Sequence, residues 1–275
     1  MSAMQHFPVT PPAVVRLLWE KRGLIWQLTK RDVVGRYRGS VFGLLWSFFN
    51  PLLMLAVYSF VFGYVFKARW GVGGDGKADF AITLFTGMIV FQIFAECVNK
   101  APLLIVSNPN FVKKVVFPLE ILPVVTCLSA LFHAAVSCLV LVLAIIVFRG
   151  GVPYTGLYLP LLIVPYCLLL LGVSWVLASL GVYIRDIAQS IGLITVVFNF
   201  LSPVFYPASA LPERLQKILY LNPITFVVEQ SRALLIGGHA PNWSGLAIYL
   251  GVSLAVFFGG IVWFQRSRKG FADVL

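Results

Sequence analysis

Hydrophobic positions along the 275-residue chain fall in long runs, not in alternation. Six stretches carry no Asp, Glu, Lys or Arg: 39–66, 80–95, 121–148, 150–184, 187–212 and 233–265. The second continues past Glu96 to about Leu104. A helix needs ~20 apolar residues to cross a hydrocarbon layer of ~30 Å. Barrel strands alternate, and these runs do not. The pattern therefore predicts an all-α membrane protein, one domain over 1–275, with six transmembrane helices at 41–66, 80–103, 120–148, 157–182, 187–207 and 243–264.

Three segments outside these runs have helical patterns of their own. Over 13–31, Val14, Val15, Leu17, Leu18, Trp19, Leu24, Ile25, Trp26 and Leu28 share one face, with Arg16, Glu20, Gln27, Lys30 and Arg31 opposite. Pro11 and Pro12 suit a helix start. A basic amphipathic helix with Trp on its apolar face lies in the membrane plane. In the loop 105–119, Ser107-Asn108-Pro109 reads as a cap followed by Pro at the first helical position, and Phe117-Pro118 ends the short basic helix 107–117. Residues 208–242 are too polar to cross. They predict two short helices within 211–236, broken at Asn222-Pro223 and ended by Gly237-Gly238, with Glu229 and Arg232 at i, i+3.

Composition agrees with the pattern. The chain is 60% hydrophobic and 11% charged, against about 45–50% and about 25% in soluble domains. That excludes most soluble enzymes, disordered chains and nucleic-acid modules. The formal charge is +11, from 21 Lys+Arg and 10 Asp+Glu. With the N-terminus cytoplasmic, fourteen of the basic residues fall inside and seven outside, so both termini are expected in the cytoplasm. Cys97, Cys127, Cys138 and Cys167 lie in or beside spans without CxxC spacing, which fits small apolar packing residues.

Enzyme chemistry finds little support. Gly71–Ala78 matches a P-loop up to its lysine but ends in Ala where Ser or Thr must reach magnesium. His6, His133 and His239 are scattered. An intramembrane enzyme would need paired acidic or His residues; Glu96, Glu120 and His133 come near, none with an evident partner, and no metal spacing occurs. Two polar stripes do stand out. Gly43, Ser47, Asn50, Met54 and Tyr58 share a face of the first span, and Gly192, Thr195, Asn199, Ser202 and Tyr206 share one of the fifth. Trp46, Phe49, Phe198 and Phe205 are close by. Such faces either pack against another helix or border a wet cavity. An aromatic, polar, uncharged lining suits a polysaccharide better than an ion.

The run Arg31-Asp32-Val33-Val34-Gly35-Arg36-Tyr37-Arg38-Gly39-Ser40, followed by Phe42-Gly43-Leu44-Leu45-Trp46-Ser47 and Asn50-Pro51, resembles the permease subunits of bacterial ABC-2-type polysaccharide exporters. Phe117-Pro118-Leu119-Glu120, Tyr183-Ile184-Arg185-Asp186 and Leu221-Asn222-Pro223-Ile224 also fit. The resemblance covers the chain from about residue 12, and Phe66-Lys67-Ala68-Arg69-Trp70 looks most like the O-antigen branch. It implies an interface helix at 13–31, a cytoplasmic coupling helix at 107–117 and periplasmic gate helices at 211–236. It implies a homodimer working with two separate ATPase subunits, which bind the ATP and magnesium; this chain carries no cofactor and is no enzyme. The cargo would be a polysaccharide on undecaprenyl diphosphate, exported across the inner membrane, with capsule or teichoic-acid cargo as the alternative. By position, coupling falls on Ser107, Asn108, Asn110, Lys113 and Lys114, and the pyrophosphate would meet Arg31, Arg36 and Arg38. The glycan would pass Trp46, Ser47, Phe49, Asn50, Tyr58, Thr195, Phe198, Asn199, Ser202 and Tyr206.

Overall fold

The computed structural model describes residues 11–65, 77–113 and 117–275. Among them every regular element is helical. Two short helices lead in, α1 (Pro11–Glu20) and α2 (Arg22–Arg36). The expected single helix 13–31 thus starts at Pro11, bends at Lys21 and runs five residues further. Ile25, Thr29 and Val33, four residues apart, are buried against the third long helix, while Trp19 and Trp26 stay 70% and 68% exposed. Thr29, which interrupts the apolar face in sequence, is accommodated because its hydroxyl donates to the Ile25 carbonyl (2.9 Å).

The link to the first span turns at Gly39 (φ 86°) and Gly43 (φ 50°), conformations glycine adopts at no steric cost. The span then runs Gly43–Val65: a 3₁₀ turn, α3 (Trp46–Tyr58) with Pro51 inside it, and a π-helical turn at Ser59–Val65. Next come α4 (Lys77–Lys100), the short α5 (Pro109–Lys113), α6 (Ile121–Arg149) and α7 (Leu159–Tyr183). After these follow α8 (Ile187–Leu201), α9 (Glu213–Leu219), α10 (Pro223–Arg232), α11 (Trp243–Ser267) and α12 (Phe271–Val274).

Among the described residues, five segments are long and apolar enough to cross a membrane: Gly43–Val65, Asp79–Leu103, Ile121–Arg149, Tyr154–Tyr183 and Trp243–Val274. The expected fifth span is the exception. Helix α8 has 15 residues, ~22 Å at 1.5 Å per residue. Ser202 leaves it in extended geometry (ψ 147°), and Pro203 and Pro207 prevent resumption. An uncharged run of 26 residues (187–212) is therefore a shorter helix and an irregular return. The expected short helices at 211–236 are present as α9 and α10, the latter continued by a π turn at Ala233–Gly237.

Helix α4 is the most buried of the spans, whereas the first span is the least. It touches α3, α6, α7, α8 and α10. The most extensive pairing is α7 with α11. A Cβ on Gly260 would lie 2.2 Å from the Gly172 carbonyl oxygen, and one on Gly172 would lie 2.3 Å from that of Val256; small residues let the two backbones meet. Basic residues segregate as expected from sequence. Arg149 and Arg232 gather near the start of α4, where Arg149 pairs with Asp79 (2.6 Å); Arg36 and Lys100 gather near its end.

Candidate functional site

The polar stripe of the first span turns inward. Ser47, Asn50, Met54 and Tyr58 line a cavity of about 240 Å³ together with Phe85, Met88 and Gln92 of α4 and His133 and Ser137 of α6. Arg36 and Tyr37, at the end of α2, close one side. Asn50 lines the cavity while remaining exposed, so it stands at the mouth. Trp46 and Phe49 belong to another face. With Phe42 they form an edge-to-face aromatic cluster with centroids 5.7–6.5 Å apart, exposed outside the protomer. Sequence proximity had grouped the polar and aromatic residues; the helix separates them because one turn rotates neighbours to different sides.

His133 has a defined role in this cavity. Its Nδ1 lies 2.9 Å from the Ser129 carbonyl. A carbonyl can only accept, so Nδ1–H donates. The ring stacks on Tyr37 at 5.8 Å and 24°, and Nε2 is buried without a hydrogen-bond partner among the described residues. A cavity of this size admits several waters at ~30 Å³ each, and the Nε2, hydroxyls and amides around it supply the two to four partners that each water needs.

A charged network adjoins the chamber. Arg36 donates to Glu96. Lys100 Nζ reaches the same Glu96 carboxylate (3.1 Å) and Asp32 (3.2 Å). Glu96 is 8% exposed while Arg36 and Lys100 are about one-third exposed. Two acids and two bases balance, so the chamber's rim is polar but near neutral. Outside the spans, burial raises the Tyr37 phenol above its usual range, opposed by the nearby Arg36 guanidinium. Sequence reasoning left Glu96 without a partner. In the fold it joins α2 to α4, and its i, i+4 spacing to Lys100 was the available signal.

The stripe on α8 is placed differently. Thr195 Oγ1 bonds Asn99 Oδ1 (3.0 Å) of α4 and its own Ile191 carbonyl (2.8 Å). Ser202 Oγ donates to Phe198 O (2.7 Å) and accepts from Asn222 Nδ2 (2.9 Å), while Asn222 Oδ1 caps α10 at the Ile224 amide. Phe198 stacks on Phe94 at 5.7 Å. Tyr206 donates to Phe200 O (3.1 Å), and Asn199 Oδ1 is buried without a partner among the described residues. Helix α4 touches both α3 and α8 and stands between the two stripes. Beyond the stripes, Phe62 of the first span and Phe205 after α8 stack at 6.5 Å.

Of the phosphate candidates, Arg36 is committed to Glu96, whereas Arg31 and Arg38 are exposed. At the loop after α4, α5 starts at Pro109 as its sequence predicts. The Asn108 Nδ2 donates backward to Leu104 O (2.9 Å). Ser107 and Asn110 are exposed, Lys113 ends α5, and Lys114 lies outside the described residues, as does the P-loop-like segment 71–76.

The sequence places Glu229 and Arg232 at i, i+3 spacing, one turn apart. That pair exists at 3.0 Å, but the guanidinium is buried and also donates to Thr83 O (3.0 Å), Pro203 O (2.5 Å) and Val204 O (2.8 Å). Gly87 makes room for it: a Cβ there would sit 2.7 Å from its Nη2. Burial lowers the Arg232 pKa to about 10, opposed by Glu229, so it stays cationic at neutral pH and fixes α10 to α4 and to the return after α8.

With this geometry in place, comparison is informative. The sequence model of the ABC-2 type transporter family matches residues 23–236. The chain belongs to that family. It is 24% identical over 249 residues to the O-antigen export system permease protein RfbA of Klebsiella pneumoniae, covering 90% of this chain and 93% of that protein. The Myxococcus xanthus RfbA permease is 27% identical over 263 residues, 94% and 98% of the two chains. The polysialic acid transport protein KpsM of Escherichia coli is 22% identical over 243 residues, 87% and 91%. The chain is thus the membrane subunit of an ABC-2 transporter, not an enzyme.

Proposed function

We propose that this ABC-2 permease exports a polysaccharide, O-antigen-like and linked to undecaprenyl diphosphate, across the bacterial inner membrane with both termini in the cytoplasm. The observation that carries the reading is the near full-length match to relatives named for export or transport of two different glycans. A homodimer is the working unit in this reading. The first span is apolar yet largely unburied within one protomer, and one protomer is too small to enclose a hydrated glycan. In the dimer the Phe42–Trp46–Phe49 edge would border the path, offering rings to sugar C–H faces, with Asn50 leading into the hydrated chamber.

ATP is bound and hydrolysed by separate subunits that push on α5. The exposed Arg31 and Arg38 meet the diphosphate first, and Arg36 joins by exchanging Glu96 for a phosphate oxygen, a geometry to which its fork is suited. Deletion of the gene followed by surface-glycan electrophoresis tests the reading. Loss of long-chain glycan, restored by the wild-type gene, supports it; an unaltered glycan ladder refutes it. If capsule alone disappears, the cargo is capsule and the O-antigen assignment is wrong.

A further inference from the structure

The end of the chain is built into the same corner as the coupling segment. Arg268 donates to Glu120 Oε2 (2.6 Å) and to the Phe117 carbonyl (2.6 Å). Both charged side chains are enclosed, 10% and 2% exposed. Phe117 stacks on Phe111 of α5, centroids 4.2 Å apart and nearly parallel. Phe271 is fully buried between Phe264 and Tyr183, and the Tyr183 hydroxyl donates to Ser267 O (2.7 Å). Gly270 fits beneath that hydroxyl, where a Cβ would lie at 2.7 Å. Leu275 packs into the apolar cluster that also holds Phe111 and Val112.

Helices of four and five residues do not hold themselves in water. Here α5 and α12 touch each other and are pinned by a buried ion pair and an aromatic stack. What they present outward is a joint surface: Ser107, Pro109 and Asn110 from one, Ala272, Asp273 and Val274 from the other, all exposed. Three spans converge behind it. Glu120 precedes α6, its carbonyl accepts from Trp175 Nε1 of α7 (3.0 Å), and its carboxylate holds Arg268 at the end of α11.

We propose that residues 268–275 and the segment 107–113 form one docking face for the ATP-binding subunit, and that the Arg268–Glu120 pair makes the last span move with the coupling segment. This rests on the transporter reading above and adds the chain's end to the contact. A push on α5 passes through Phe111 and Phe117 to Glu120, and from there to α6, α7 and α11 together. Burying a charge pair costs desolvation that apolar packing would avoid, and the return is a fixed geometry at this junction.

The test purifies the permease co-expressed with its ATP-binding subunit, carrying Asn110→Glu or Val274→Glu, both exposed positions where folding tolerates a charge. The co-purifying subunit should fall at least fivefold for each, with the permease amount in the membrane unaltered. If Val274→Glu retains the wild-type amount while Asn110→Glu loses it, the extended face is overturned and the transporter reading stands. If wild-type permease retains no ATP-binding subunit, both fall. Glu120→Gln should keep the subunit bound but lower ATP-driven glycan export at least fivefold, with Arg268→Lys intermediate. Wild-type export in Glu120→Gln overturns the relay.

Discussion

Gly259 and Gly260 are neighbours in α11, yet their substitution by alanine should have opposite effects. At Gly260 the new Cβ would meet the Gly172 carbonyl oxygen at 2.2 Å and its carbon and Cα at 2.7 Å. These are backbone atoms and cannot rotate away. Restoring ordinary contact at 3.4–4 Å moves α7 and α11 apart by more than ~1 Å, and a gap of 0.5–1 Å already forfeits about a quarter to a half of each dispersion contact. Overpacking of this kind costs ~1–3 kcal/mol. Nothing lies within 4 Å of a Cβ on Gly259, so alanine there gains only the helix preference of ~1 kcal/mol. Both variants share that gain, so the comparison isolates the crossing. At ~2–4 °C per kcal/mol for chains near this size, Gly260→Ala should melt ~2–12 °C below Gly259→Ala. Heating the detergent-solubilised protein and following the monodisperse peak by size-exclusion chromatography measures this. Equal midpoints would refute the claim that this pair of helices is set by backbone contact.

Arg232→Ala removes the guanidinium that donates to the Thr83, Pro203 and Val204 carbonyls and should cost ~1–3 kcal/mol for each buried acceptor left unpaired, seen as loss of monodisperse protein; Arg232→Lys, without the planar fork, should rescue only part. Glu96→Gln weakens the hold on Arg36 and Lys100, pairs that are about one-third exposed on the basic side and worth up to ~1 kcal/mol each. Alkylation of a cysteine at the buried position Val33 should then accelerate about two- to fivefold, and an unchanged rate would show that this network does not hold α2. Ser137→Leu removes a hydroxyl that, among the described residues, bonds its own helix at His133 O, and fills part of the chamber. Its thermal midpoint should be unchanged or raised while glycan export falls; normal export would show that the chamber need not be open.

Much of the architecture was legible because hydrophobic runs and helix breakers are local. Helix starts at Pro109 and Pro223 follow from proline's fixed φ and absent N–H. The sorting of basic residues between the two ends also followed from counting. The shortened α8 was missed because absence of charge was taken as presence of helix, though Pro203 and Pro207 were there to stop it. The candidate site was only partly legible. The stripe Ser47–Asn50–Tyr58 was visible as a 3.6-residue period, but not the direction it faces. That depends on how the helix is rotated about its axis, which is set by what α4 and α6 offer opposite it.

The sequence by itself determined that this chain carries several helices long and apolar enough to cross a membrane, and where most of them break. Each of these is a sum over neighbouring residues, and solvent transfer and backbone geometry act locally. The tertiary structure alone decided the pairings that give the bundle its working parts: Arg36 with Glu96, 60 positions away; Arg268 with Glu120, 148 away; and Arg232 with the Thr83 carbonyl, 149 away. In a low-dielectric interior a charge must find its partner wherever the fold brings one. No local pattern records which helix that will be.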